Sequence, residues 1–478
     1  MIKFKTIDPV DPTILVIFGA SGELTSERLV PAVAHLFDHG LLPKNFTVVG
    51  FSRRKFSHEQ FRNRVKTGGS GWSKFAKHIF YHPGNFTDAN DFRSLANYLH
   101  DIENRGHSCA NRLFYFATLP SHYATISEEL KTSGLLIGCK RHKRETRVLV
   151  EKPFGFDLPS AHRLDQTLNK YFHEEQIYRI DHYLAKETVQ NIFAVRFGNA
   201  IFEPLWNREY IDHVQISSLE DMGVNERGAY FEQVGMVRDF VQSHLLQLLA
   251  IIGMEPPRDM STSSIREARR RVVRDIAEPK AKNLRDDLVI GQYRGYQKEP
   301  NIERNSIVET YAALKLFIDN ERWSGVPFYL RAGKRLGEKS TTISIHFKST
   351  ALALFDKSGF PGNALIFKIQ PNEGVYLDVL AKYPGFGVRL HPVQLSLGYD
   401  SFMAPEIPDA HERLLLDFMQ GDQRLFASAE EIEAAWKYVD IIKKYVSGKK
   451  PIEYEPSGSG PKQAEKLIQR DKREWLKT

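Results

Sequence analysis

Cysteine is almost absent from the chain: Cys109 and Cys139 are the only two in 478 residues. So sparse a supply excludes a disulfide framework and leads to the expectation of buried or idle thiols in a reducing compartment. Long apolar runs are also lacking. The most extended, around Leu245 to Met254, is interrupted and falls short of the ~20 residues that a membrane span requires. Met1 to Asp11 carries Lys3, Lys5, Asp8 and Pro9, without the apolar stretch of a secretion signal. A cytoplasmic protein with no membrane contact is expected. Internal repeats are not found, and the one low-complexity stretch, Ser457-Gly458-Ser459-Gly460, reads as a surface loop. Acidic residues are in the minority, 59 against 66 Lys and Arg, so the formal charge is +7 and anionic partners are favoured. Two basic runs, Lys140-Arg141-His142-Lys143-Arg144 and Arg269-Arg270-Arg271, lack interleaved aromatics and any nucleic-acid motif. They read as solvated faces, and no nucleic-acid partner is expected.

What the chain does have is apolar mass, 42% hydrophobic residues, enough for two or three domains with substantial cores. The first third alternates short β-branched runs with amphipathic stretches, the pattern of a parallel sheet built from βαβ units. Thr13 to Phe18, Val48 to Phe51, Leu113 to Phe116 and Val148 to Val150 read as strands, and Leu24 to His39 as a helix that Pro31 bends or divides. Past about Asp181 the rhythm changes. A long helix is expected from about Phe231 to Ile252, with Val234, Val237, Val241, Leu245, Leu248 and Ile252 on one stripe. Thr342 to Phe347 and Val375 to Leu380 alternate like half-buried antiparallel strands. The expected division is a dinucleotide-binding domain over 1–181 and a separate α+β domain over 182–478.

The first strand runs into Gly19-Ala20-Ser21-Gly22-Glu23-Leu24 and then a helix. There a dinucleotide-binding fold brings backbone N–H groups and a helix N-terminus to a pyrophosphate, although G-x-x-G also makes an ordinary tight turn. At the tip of the second strand stands Ser52-Arg53-Arg54, where an NAD-selective fold would carry an acid. A guanidinium at Arg53 favours a 2′-phosphate, hence NADP, and Ser52 can donate to a phosphate oxygen. Glu151-Lys152-Pro153-Phe154-Gly155 follows a strand directly and puts Lys152 at the carboxyl edge of the sheet. In Arg179 to Glu187, His182 and Lys186 are four apart, so a helix would present both on one face near its positive end, a seat for phosphate or an ordinary surface pair.

These segments resemble the glucose-6-phosphate dehydrogenase family over almost the whole chain. Glu151 to Gly155 and Arg179 to Glu187 match its two most specific motifs, and Phe202 to Asn207, Tyr210 to Ile216, Trp323 to Lys334 and Pro408 to Asp417 add further matches. The resemblance implies an α/β Rossmann-like N-terminal domain and a C-terminal α+β domain whose large, mainly antiparallel sheet forms a dimer interface, giving a homodimer or homotetramer. It implies oxidation of glucose 6-phosphate with NADP as cofactor, NAD being a poorer alternative. By the same carry-over His244 is the general base and Asp181 its carboxylate partner. His182, Tyr183 and Lys186 hold the 6-phosphate with help from Lys339, and Lys334, Glu220, Asp239 and Gln370 address sugar hydroxyls. Lys152 is implied to lie between substrate and nicotinamide. Gly19, Ala20, Ser21, Gly22, Glu23, Leu24, Arg53 and Tyr123 are implied to bind the cofactor. No metal is implied, since a histidine takes the proton and the cofactor the hydride.

Asp239 and His244 are five apart, about 140° round an ideal helix, so both reach one sugar only if the helix starts or bends between them. The chain also departs from the family pattern at Glu23, Arg28, Leu119, Ala185, Ser243 and His411, none of which is a reacting group. Serines at 340 and 344 and an aspartate at 378 stand where animal relatives carry basic residues for a second, structural NADP, which is therefore not expected here. A dehydrogenase for another sugar phosphate remains an alternative. A silent NADPH-binding subunit would have lost Asp181, Lys186 or His244, and all three are present.

Overall fold

The computed structural model describes residues 11–69, 71–106, 109–138, 145–349, 362–387, 389–399 and 407–477. Cys139 and the basic run at 140–144 lie outside the described residues. The chain folds as two compact units, one of Met1–Gly155, Pro159–Ala185 and Pro408–Ala429, the other of Phe156–Leu158, Lys186–Ile407 and Glu430–Thr478.

In the first unit, β1 (Thr13–Phe18), β2 (Phe46–Ser52), β3 (Ile79–Pro83), β4 (Asn111–Phe116), β5 (Thr146–Val150) and β6 (Ile177–Arg179) form one sheet of order β3-β2-β1-β4-β5-β6. Every neighbouring pair is parallel. All of β1 is buried because alternate residues serve opposite cores, Leu15 and Ile17 one, Ile14, Val16 and Phe18 the other. A continuous apolar run is what a strand covered on both faces requires. Val30–Asp38 covers the first core, while Ala89–Arg105 and Tyr123–Thr132 cover the second. The expected helix after β1 is divided: Thr25–Leu29 is a π-helix, and an α-helix begins at Val30. The Val30 N–H reaches back to the Thr25 carbonyl. Pro31 follows at once, with no N–H and a ring that would strike the carbonyl four residues earlier, so the wider turn precedes it.

Pro408–Ala429, expected within the second domain, folds into the first unit. Its helix Ala410–Gln420 buries Leu414, Leu415, Phe418 and Met419 with Leu15 and Ile17, and Tyr178 packs edge-on to Phe418 and Phe426 at 4.9 and 4.8 Å. Arg147 Nη1 donates to the Phe418 and Met419 carbonyls, each at 3.1 Å, at the C-terminal end of that helix. Cys109 is disulfide-bonded, contrary to the idle thiol expected.

In the second unit, β7 (Ile211–Leu219), β8 (Leu288–Tyr293), β9 (Tyr311–Leu316), β10 (Phe328–Gly333), β11 (Ser340–Phe347), β12 (Ala364–Gln370), β13 (Gly374–Lys382), β14 (Leu390–Gly398) and β15 (Ile452–Tyr454) form a second sheet. Its order is β14-β13-β12-β11-β7-β10-β9-β8-β15, antiparallel except for the pairs β7 with β10 and β8 with β15. β11 lies inside this sheet and its first six residues are all buried, so the alternation read from sequence does not mark a half-solvated strand there. Arg269, expected on a solvated face, is 1% exposed and pairs with the buried Glu431 at 2.8 Å. Among the described residues no helix is long and apolar enough to cross a membrane.

Asp417 in the helix Ala410–Gln420 is 3% exposed, and burial pushes its carboxyl up to about 6, against the opposing pull of Arg413. Its protonated form therefore contributes stability that is fully present below about pH 4 and lost as pH rises through about 6. Asp417→Asn removes the charge that must be buried at neutral pH. The variant is expected to be more stable than the parent above pH 6, by at most about 3 kcal/mol, and to lose that advantage near pH 4. Urea titrations across this range measure it.

Candidate active site

The turn after β1 is built for close backbone approach. Gly19 has φ +86°, and a Cβ there would lie 2.3 Å from the Ala117 carbonyl oxygen. Its N–H bonds the Phe51 carbonyl at 2.9 Å, and the Gly22 N–H bonds the Gly19 carbonyl at 2.9 Å. The turn through Ala20, Ser21, Gly22, Glu23 and Leu24 thus stands at the carboxyl end of the central strand, where the sheet order reverses and dinucleotides bind. Arg64, which the sequence reading missed, donates to the Ser21 carbonyl at 2.9 Å. Only the folding of His58–Arg64 back onto the turn exposes that role.

At the tip of β2, Arg53 is exposed, as a group that meets a phosphate from solvent must be. Ser52 is not available to a phosphate. It is 4% exposed, and its hydroxyl lies 2.9 Å from that of Tyr81, which donates to the Arg54 carbonyl at 2.5 Å. Tyr123 is likewise fully buried; its hydroxyl accepts from the Glu151 N–H at 3.2 Å and so braces the end of β5 beneath Lys152. Tyr115 donates a short hydrogen bond to the Glu151 carboxylate. Burial pushes the Glu151 carboxyl up, while Tyr115, His411 and Lys152 pull it back down. Asp409 caps the helix Ala410–Gln420 through the His411 N–H at 2.8 Å, and its carboxyl is held well below the usual range, foremost by the His411 side chain.

Asp181 and Tyr183 are buried at the end of this unit, and Asp181 Oδ1 accepts from the Tyr183 N–H at 3.0 Å. The helix expected to carry both His182 and Lys186 starts only at Glu187: residues 182–185 form turns, and Lys186 has extended backbone as the residue before the first turn. An aspartate that bonds the N–H two residues on favours such a turn over a helix.

In the second unit Lys186 therefore stands at the positive end of Glu187–Phe197, and its Nζ donates to Gln370 Oε1 at 3.0 Å. Gln370 is held in turn by its own donation to Thr341 Oγ1 at 3.2 Å. Lys339 is exposed immediately before β11. Lys334 donates to the Glu220 carboxylate, and its ammonium lies 5.3 and 5.5 Å from the Phe231 and Phe240 ring centroids. Two aromatic faces and a carboxylate fix this cation in place.

The long helix expected from Phe231 to Ile252 is broken at Gly235, where φ is +66°. It resumes as a π-helix over Val237–Leu245 and as an α-helix over Leu246–Gly253. In a π-helix the hydrogen bonds run from i to i+5, so residues five apart lie one above the other. Asp239 and His244 thus share a face, which resolves the 140° separation that an α-helix would impose. His244 is 1% exposed, with the Phe240 ring edge-on at 5.5 Å. Tyr230 donates to Asp239 Oδ1 at 3.3 Å, and Ser243 Oγ donates to the Asp239 carbonyl at 2.6 Å. At the three positions considered for a second NADP, Ser340 and Ser344 are buried and Asp378 accepts from Gln394 at 2.8 Å.

A six-stranded parallel sheet with a glycine turn at its switch point, together with an α+β unit that carries a buried histidine, carboxylates and lysines, defines a two-domain nicotinamide-dependent dehydrogenase. Residues 16–191 match the model of the glucose-6-phosphate dehydrogenase NAD binding domain, and residues 193–476 that of the glucose-6-phosphate dehydrogenase C-terminal domain. The chain is 40% identical to glucose-6-phosphate 1-dehydrogenase of Chlamydia muridarum (strain MoPn / Nigg), over 98% of each chain. It is 38% identical to the Bacillus subtilis (strain 168) enzyme of the same name, over 97% of this chain and 98% of that one. A solved glucose-6-phosphate dehydrogenase in complex with its substrate glucose-6-phosphate superposes with a TM-score of 0.91 at 32% identity, over 99% of this chain and 100% of that one. The chain belongs to the glucose-6-phosphate dehydrogenase family.

Gly19→Ala tests the cofactor cradle. Positive φ and the overlap with the Ala117 carbonyl force the turn to shift, at a cost on the order of 1–3 kcal/mol. Titration with NADPH, followed by fluorescence, is expected to show weakened binding while glucose 6-phosphate still binds.

Proposed function

We propose that this chain oxidises β-D-glucose 6-phosphate to 6-phosphoglucono-1,5-lactone with NADP⁺, the first step of the oxidative pentose phosphate pathway, in the cytoplasm. The π-helix that puts Asp239 and His244 on one face is the observation that carries the reading, since it supports His244 acting as proton acceptor with Asp239 binding a neighbouring hydroxyl. His244 takes the proton of the C1 hydroxyl as the carbonyl forms at C1. Asp181 is its assigned carboxylate, holding the tautomer and stabilising the imidazolium. Lys186, His182 and Tyr183 read the 6-phosphate, with Lys339 supplying further positive charge. Glu220, Lys334, Asp239 and Gln370 orient the sugar, and Lys152 the reacting carbon. The glycine turn and Arg53 hold the cofactor, Tyr123 acting from beneath. When bound, NADP⁺ supplies the hydride acceptor, and NAD⁺ is a poorer substitute. Leu395 and Leu397 on β14, 54% and 39% exposed, support a homodimer or homotetramer assembled through the second sheet.

His244→Asn is expected to lower turnover by at least ~10²-fold, the scale of general-base catalysis, with a smaller change in glucose 6-phosphate binding. Near-parental turnover would overturn the reading. Arg53→Ala is expected to reduce kcat/KM for NADP⁺ by ~10-fold or more, on the scale of a hydrogen bond to a charged group, and that for NAD⁺ much less. Equal losses with both cofactors would mean that Arg53 stacks on adenine and does not read the 2′-phosphate.

A further inference from the structure

Glu309 is 3% exposed, precedes β9 and is absent from every role assigned above. Its carboxylate occupies the space beside Gly235, where a Cβ would lie 2.7 Å from Oε1 and 3.0 Å from Oε2. The Met236 N–H donates to the Glu309 carbonyl at 2.9 Å, and the Val237 N–H to Oε1 at 3.3 Å. These are the N–H groups that open the π-helix, which no side chain of its own N-cap satisfies. Lys443, from Ala429–Val446, donates to the same oxygen at 3.0 Å and balances the buried charge. Thr310, the next residue, accepts from the Lys334 N–H at 3.0 Å, and its Oγ1 lies 3.0 Å from Tyr454 OH, which donates to the Lys334 carbonyl at 2.6 Å.

We propose that Glu309 is a positioning residue for the reaction, its carboxylate setting the start, and so the rotation, of the helix that carries Asp239 and His244. The dipeptide Glu309-Thr310 then holds that helix in register with Lys334 on one piece of backbone. A negative charge at the opening N–H groups favours the helix by its dipole as well as by hydrogen bonding. The left-handed backbone at Gly235 leaves room for the carboxylate and swings the preceding helix Gly228–Met236 onto a different axis.

This inference rests on the proposed role of His244, and its test separates the two. Full-length Glu309→Ala is expected to lose about 10²-fold in kcat with glucose 6-phosphate, the cost of misplacing a catalytic group by about 1 Å, while KM for NADP⁺ stays at the parent value. Glu309→Gln keeps an acceptor for the Val237 N–H and is expected to restore most of the turnover. Assays are run at a temperature where circular dichroism shows each variant folded; should Glu309→Ala not fold, Glu309→Asp, which withdraws the acceptor by one methylene, is judged by the same criterion. Parental kcat in the folded Ala or Asp variant, or Gln as impaired as Ala, overturns the positioning role. If His244→Asn is inactive and folded Glu309→Ala is fully active, only the positioning role fails. If His244→Asn itself turns over normally, the reading beneath it fails.

Discussion

The chemistry proposed for the second unit depends on a widened helical turn. An α-helix cannot place residues five apart on one face, and Val237–Leu245 does so because its hydrogen bonds span five residues. Such a turn is poorer in packing and hydrogen-bond geometry than an α-helix, so it persists only where its surroundings hold it. Here almost every side chain from Leu245 to Met254 is buried, which anchors the far end, while the break at Gly235 and the Glu309 carboxylate define the near end. Asp239 and His244 lie between these fixed points.

Buried charge is organised around the same principle of fixed geometry. Arg269 with Glu431 is a fully enclosed pair, while Lys334 with Glu220 and Lys443 with Glu309 each set one buried member against a partly exposed partner. Desolvation offsets much of the attraction in such pairs, so their contribution to stability is small, whereas removing one partner leaves a costly lone charge. The consequence is positional. Lys334 is held by a carboxylate and two aromatic faces in one orientation, which is what its proposed role in orienting a sugar requires.

The first unit solves a different problem, the approach of a backbone to a charged dinucleotide. Two apolar layers hold β1 rigid, and the turn at its end is shaped by a glycine whose missing Cβ leaves room for the Ala117 carbonyl. The helix Ala410–Gln420 completes one of these layers, so a segment remote in sequence supports the dinucleotide fold and places His411 near Glu151.

The parallel sheet, its strands β1, β2, β4 and β5 and the glycine turn were legible in the sequence because continuous apolar runs, the first ended by Gly19, admit few other structures, whereas β3 was not read. The roles proposed for His244, Asp181 and Lys186 come from motif resemblance, which is local in sequence. Three features were not. Within Val237–Leu245 the apolar residues Val237, Val241 and Leu245 recur every four positions, a spacing that an α-helix and a π-helix both keep on one face, and the widening was decided by Gly235, Glu309 and the packing beyond Leu245. Ser52 and Tyr123 have the chemistry to meet a cofactor, but burial against Tyr81 and Glu151 turns them inward. Arg269 reads as solvated charge until Glu431, 162 residues away, folds against it. Local periodicity and turn chemistry are written along the chain, whereas the environment of a polar group comes from residues distant in sequence and exists only once the chain has folded.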